Sequence, residues 1–199
     1  FRNHKIILGF NLLGYLLTLT TGSHYHVDLL GSSAFAAGAW KDLSSSIARI
    51  RYSSMAVCVF GARLAAFLFY RVLKTSHDAR LDDILGDPIR AAGFWIFSAA
   101  WGICCSPPHA LGASSSSLGS PLATKVGLSV YVAGMLLETI ADATKWIFKQ
   151  NHPGQFCNVG VWAWSQHPNW CGNLILWTGI FIINAPALIV SSSNVSPKA

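Results

Sequence analysis

Charge is what this chain has least of. Of its 199 residues, 11% are Asp, Glu, Lys or Arg, against about 25% in an ordinary soluble domain. Paired cysteine motifs are missing too: the five cysteines are an odd number without C-x-x-C spacing, so neither a disulfide framework nor a zinc site is indicated. His24 and His26 form an H-x-H pair with no third ligand nearby, and no metal site is expected there. There is no G-x-G-x-x-G or G-x-x-x-x-G-K-S/T, which excludes a soluble-type nucleotide fold. The serine runs at 44–46 and 114–117 lack a G-x-S-x-G context. No long block of like charge and no nucleic-acid motif accompanies the net charge of +6, so a nucleic-acid partner is not expected.

Apolar sequence fills the space that charge leaves: 52% of the residues are hydrophobic and mean hydropathy is +0.44. Apolar runs occupy 5–21, 27–40, 53–73, 91–106, 122–141 and 174–190. Several approach the ~20 residues a spanning helix needs. The prediction is an all-α, polytopic transmembrane bundle of about six hydrophobic segments, one membrane domain over 1–199. A soluble all-helical domain is the alternative. The first run is interrupted by Asn11 and Gly14; the second is short and rich in small residues, a short span or a packed half-span. Residues 107–121 (PPHALGASSSSLGSP) read as a Ser/Gly/Pro loop, 71–90 as the most charged loop, and 191–199 as a frayed tail. Loop 107–121 has no Lys or Arg, whereas 71–90 and 145–171 hold six between them at 71, 74, 80, 90, 145 and 149. The bias of basic residues makes that face cytoplasmic. Arg2, Lys5, Arg49 and Arg51 do not fit a simple six-crossing count in this orientation.

Polar chemistry pressed against apolar runs marks the candidate site. Arg63 lies inside the 53–73 run, where a guanidinium costs about 2.5–3.5 kcal/mol on insertion scales; it either faces a wet interior or snorkels to an interface. Glu138, Asp142, Lys145 and Lys149 follow steps of four, three and four, so they share one helix face. The bland reading is ion pairs on a solvated helix end; against it, Glu138 directly follows VYVAGMLL and falls at membrane depth. His167-Pro168-Asn169 sits among Trp162, Trp164 and Trp170, which read either as an interfacial aromatic belt or as part of a binding turn.

The segment LLETIADATKWIFKQNHPGQFCNVGVWAWSQHPNWCGNLILWTGI resembles the signature of membrane proteins related to the steroid 5α-reductase C-terminal domain. That signature runs L-E-x-x-A-D-x-Q-K-x-x-F-K, then G-R-F-x-x-x-G-L-W-x-x-S-R-H-P-N-Y-F-G-E, then a hydrophobic span. FGARLAAFLFYRVLKTSHDARLDDI and HVDLLGSSAF are similar to its two earlier elements, and the likeness covers roughly residues 10–190. It implies a reductase of the endoplasmic reticulum or another internal membrane. NADPH, entering from the cytoplasmic side, would deliver a hydride to an activated carbon–carbon double bond in a steroid-like or other lipid.

By that resemblance, cofactor-type chemistry lies in 138–173. Glu138 and Asn173 are the candidate catalytic positions. Arg63, Arg71, Asp78, Arg80, Asp142, Lys145, Lys149, Asn158, His167 and Asn169 are the candidate cofactor contacts. The chain departs from the pattern where Gln155 and Gln166 replace arginines, Asn173 replaces Glu, Thr144 replaces Gln and Trp170 replaces Tyr. Two lost guanidiniums remove contacts worth roughly 1.5–3 kcal/mol each, so weakened NADPH binding is expected. The family's closing basic-aromatic segment is not found after Val190, as in a fragment. Five tyrosines (15, 25, 52, 70, 131) are equal candidates for the proton donor. An S-adenosylmethionine-dependent methyltransferase of the isoprenylcysteine carboxyl methyltransferase type shares the H-P-N-like turn and is the alternative. A non-catalytic membrane protein with a decayed cofactor site is the second.

Overall fold

The computed structural model describes residues 2–75 and 79–193. Among them there is no strand, and helices follow in the order α1 (Arg2–Thr21), α2 (Val27–Ala39), α3 (Ala48–Thr75), α4 (Ala79–Leu85), α5 (Pro88–Cys105), α6 (Pro107–Ser114), α7 (Pro121–Asn151) and α8 (Pro168–Ser193), with 3-10 turns at Trp40–Ser44 and Gly160–Ala163. The chain is all-α, as its apolar runs predict. Four helices, α3, α5, α7 and α8, are long and apolar enough to cross a membrane. The runs at 5–21 and 27–40 are also helical, but the 13 residues of α2 rise only about 20 Å, short of a ~30 Å hydrocarbon core.

Two expected loops are partly helix. Pro107 and Pro108 occupy the first turn of α6, where the missing N–H groups cost nothing, and HALGAS carries the helix on; irregular backbone is confined to 115–120. The charged 71–90 segment contains the end of α3, the short α4 and the start of α5. There Asp87 caps α5 by accepting from the N–H groups of Ile89 and Arg90, both at 2.9 Å.

Burial runs opposite to that of a water-soluble bundle. Leu8, Leu12, Leu16, Ile96 and Phe97 lie outward, while Asn3, Asn11, Thr18, Arg49, Ser53 and His109 are buried. Helices immersed in hydrocarbon have no reason to hide leucine and every reason to hide an amide or a guanidinium.

The chain divides into two compact units, Phe1–Ser116 and Ser117–Ala199. In the first, Gly14 makes room for the indole of Trp95, whose ring lies where a Cβ would be. Trp95 Nε1 donates to Thr18 Oγ1 at 3.1 Å. His26 Nε2 lies 3.0 Å from the Gly14 carbonyl oxygen, so that nitrogen is a donor. The buried Arg49 donates to the carbonyls of Gly112 and Ser115 at the end of α6, at 3.0 and 3.2 Å, which explains a basic residue that the crossing count left unplaced. Asp42 receives both carboxylate contacts of Arg2 at 3.1 Å, with His109 Nε2 at 3.7 Å and Ser53 Oγ 2.9 Å from His109 Nδ1.

The second unit is an antiparallel hairpin of α7 and α8. Gly127 and Gly134 on α7 meet Gly179 and Gly172 on α8, and a Cβ on Gly127 would come within 2.6 Å of the Gly179 oxygen. On each helix the pair is spaced by about two turns, so both glycines face the seam. The backbones touch directly, as small residues permit between membrane helices. Asn184, wholly buried in α8, donates back to the Ile180 carbonyl at 2.9 Å.

Candidate functional site

The glycine seam ends at the candidate chemistry. A Cβ on Gly172 would sit 2.6 Å from the backbone nitrogen of Glu138, so nothing larger than a hydrogen separates the two helices there. That closeness brings the next residue, Asn173, against the Glu138 side chain, and Asn173 Nδ2 donates to Glu138 Oε2 at 3.3 Å. Glu138 is 4% exposed. The two residues assigned by resemblance as catalytic are therefore in contact, one helix presenting the carboxylate and the other the amide that orients it.

One turn beyond Glu138, α7 emerges to carry the polar face expected of it: Asp142 is half-buried, and Lys145 and Lys149 are exposed. Both lysines bind their own chain. Lys145 Nζ lies 4.4 Å from the centre of the Trp162 ring, and Lys149 Nζ donates to the Gln155 carbonyl. Trp162 in turn donates through Nε1 to the Ala141 carbonyl at 2.8 Å and is buried with Cys157 and Ala141. The turn after α7 is thus fastened to it at three points. Left-handed backbone at Gly154 (φ +80°) and Gly160 (φ +57°) lets the chain reverse in so short a distance.

This turn borders an open, shallow pocket of about 350 Å³ lined by Phe156, Asn158, Trp162, Ala163, Trp164, Ser165 and Gln166. Its walls are aromatic rings, amides and a hydroxyl; no Lys or Arg side chain lines it. Trp164 is 88% exposed. Asn158 and His167 are exposed as well, and Asn169 is half-buried. Pro168 opens α8, with the His167 N–H accepted by Ser165 Oγ at 3.2 Å. Asn169 Oδ1, at that helix start, is buried without a hydrogen-bond partner among the described residues.

In the first unit, Arg71 Nη2 pairs with Asp28 Oδ2 at 3.3 Å, joining α3 to α2, and Arg63 stacks its guanidinium over Phe67 at 5.5 Å. Asp78 lies outside the described residues, as does the side chain of Arg80.

The sequence reading missed Trp162 as a fastener, grouping it with Trp164 and Trp170 as either belt or binding-turn residues. Burial separates them: Trp164 and Trp170 are exposed, whereas Trp162 is core. Nothing in the local pattern W-A-W distinguishes the first ring from the second except the glycine that opens the 3-10 turn.

Residues 14–196 match the family model described as "Protein of unknown function (DUF1295)". The chain belongs to that family. DUF1295 is a family of membrane proteins, in keeping with the four apolar helices, and its match spans both units and the whole 138–173 segment. No curated protein and no solved structure matched the chain.

Proposed function

We propose that this DUF1295 protein is an integral membrane reductase that transfers a hydride from NADPH to the activated C=C bond of a lipid-like enone. The observation that carries the reading is the buried Glu138 carboxylate held by Asn173, one turn from a polar helix face and a fastened aromatic turn. The relation of the family to steroid 5α-reductase points the same way.

The residues present suit such a cofactor in kind. Phe156 and Trp164 offer ring faces, Asn158 and Gln166 offer amide edges, and Lys145 and Lys149 are solvent-facing cations whose present contacts, a ring face and a carbonyl, a phosphate can displace. When bound, NADPH supplies the hydride. The chain's part is to hold the dinucleotide, to keep water from Glu138 by the close packing of α7 on α8, and to orient the Glu138 carboxyl through the Asn173 amide for proton handling at the reduced substrate. With Gln155 and Gln166 in place of arginines, the affinity expected is modest.

One observation favours a second reading. A pocket walled by aromatic rings and free of cationic side chains also suits S-adenosylmethionine, which has no phosphates and whose sulfonium is attracted to ring faces. The two are separated by melting the purified protein in lipid nanodiscs with each ligand. A ligand that binds only the folded state stabilises it by about 2.7 kcal/mol at one hundred times its Kd. A rise with NADPH supports the reductase, a rise with S-adenosylmethionine alone supports the methyltransferase, and no rise with either leaves the decayed-site reading.

A further inference from the structure

We propose a binding site for the headgroup of an ethanolamine phospholipid in the pocket between the start of α1, the Trp40–Ser44 turn and α6. The pocket is half-open, has a volume of about 240 Å³, and is lined by Arg2, Asn3, Asp42, Ala110, Ala113 and Ser114. It lies wholly within the first unit and stands whether or not the chain is a reductase. The apolar helix α5 ends just before α6, and the start of α3 is fastened to the end of α6 by Arg49. The pocket is therefore at the level where spanning helices leave hydrocarbon. Trp40, 69% exposed, belongs to the same turn, and tryptophan favours the headgroup layer. A phospholipid is the occupant that such a place supplies.

Three of the lining side chains have bonding capacity left over. Arg2 meets both Asp42 oxygens through Nη2 alone, which leaves Nη1 and Nε to donate. Asn3 is 7% exposed and packs against Gly38 of α2, yet its amide makes no hydrogen bond among the described residues. Neither of its amide atoms is sealed from solvent. Ser114 is exposed and gives its hydrogen to the Leu111 carbonyl at 2.7 Å, so its oxygen can still accept. The pocket thus presents donors on Arg2 and Asn3 beside acceptors on Asp42, Asn3 and Ser114. The charges of Arg2 and Asp42 cancel. An anion alone would meet Asp42, and an amine alone would meet Arg2, whereas a neutral ligand carrying both charges suits the pair. The phosphodiester and primary ammonium of an ethanolamine headgroup, two carbons apart, are such a ligand. Its ammonium brings three N–H donors for the acceptors, and the charge-assisted bonds they form are the strong kind. A choline headgroup has the same charges but no N–H to give.

The experiment is native mass spectrometry of the whole protein in detergent, titrated with phosphatidylethanolamine, phosphatidylcholine and phosphatidylglycerol of identical chains. One copy of the ethanolamine lipid is expected to bind at least about tenfold more tightly than the choline lipid, the ratio a charge-assisted hydrogen bond gives. The anionic glycerol lipid is expected to bind more weakly than the ethanolamine lipid. Asp42→Asn leaves the pocket with one net positive charge, and that order is expected to invert, the glycerol lipid becoming the tighter. Should that variant not fold, Ala113→Phe, at a half-buried position on α6, fills the pocket and spares the charged pair; it is expected to bring the ethanolamine-to-choline ratio to about one. Equal binding of ethanolamine and choline lipids by the wild type overturns the proposal. So does an ethanolamine preference that survives Ala113→Phe, or an unchanged order in Asp42→Asn. A melting temperature raised by free glycerophosphoethanolamine but not by the ethanolamine lipid overturns the assignment to a lipid.

Discussion

The indole N–H of Trp162 donates to the main-chain oxygen of Ala141 across a turn of the chain, at 2.8 Å. The bond fixes where the 152–166 segment lies on α7, because the same ring is covered on one face by the Lys145 ammonium. Replacing Trp162 by Phe keeps the ring and loses the bond, so a destabilisation of about 1 kcal/mol is expected from that term alone. Trp162→Ala also empties the space and should cost about 3–5 kcal/mol. Denaturant or thermal unfolding in a mild detergent measures both, and the pocket of the turn should lose ligand binding in step with the loss of the ring.

The glycine seam gives a sharper contrast. Gly172→Ala forces a methyl against the Glu138 backbone nitrogen at 2.6 Å, and neither backbone can yield without moving its helix. A loss of about 1–3 kcal/mol is expected, together with the Glu138–Asn173 contact. Gly9→Ala in α1 meets nothing within 4 Å and should stabilise by about 0.5–1 kcal/mol, because alanine loses less backbone freedom in a helix. Melting temperatures of the two variants should move in opposite directions.

Much of this was legible in the sequence, and the reasons are physical. An apolar run such as 53–73 has few alternatives to a helix once it is too long for a soluble core element, and the steps from Glu138 to Lys149 permit only one shared face. What the lysines do with their charge was not legible. Lys145 is spent on Trp162 and Lys149 on the Gln155 carbonyl, contacts that depend on how a glycine-rich turn folds back rather than on spacing along α7. The pairing of Gly134 with Gly172 is likewise a matter of two helices meeting in register, and single-chain periodicity says nothing of the partner. The helix α6 was hidden because two prolines and a serine tract look like a loop whether or not the prolines begin a helix.

Acid should unfold the first unit through Asp42. Burial alone would raise its carboxyl, but the imidazole of His109, 3.7 Å away, and the Arg2 guanidinium, hydrogen-bonded to it at 3.1 Å, outweigh that and hold it below the ordinary 3.8. A folded-state value lowered in this way means stability that is present above the unfolded-state value and is lost as pH falls through the folded-state value. Unfolding midpoints measured between about pH 6 and pH 3 should fall for the wild type at the acid end. They should fall less for Asp42→Asn, which has no proton to gain.

Glu138 is expected to matter to turnover more than to folding. In Glu138→Gln the amide oxygen still accepts from Asn173 Nδ2, so the seam stays closed and the melting temperature changes little. Proton handling by a positioned side chain contributes about 10²–10⁴-fold, and kcat for enone reduction should fall within that range. A rise in KM alone, with kcat unchanged, would mean that Glu138 binds substrate and does no proton work.

The most direct measurement is NADPH binding by the wild type and by Gln166→Arg, in nanodiscs at fixed ionic strength. Gln166 lines the pocket of the turn, and a restored charge-assisted contact is worth about 1.5–3 kcal/mol. The expected result is saturable binding by the wild type, tightened at least about tenfold in the variant. No NADPH binding by either protein, with or without stabilisation by S-adenosylmethionine, would contradict the account.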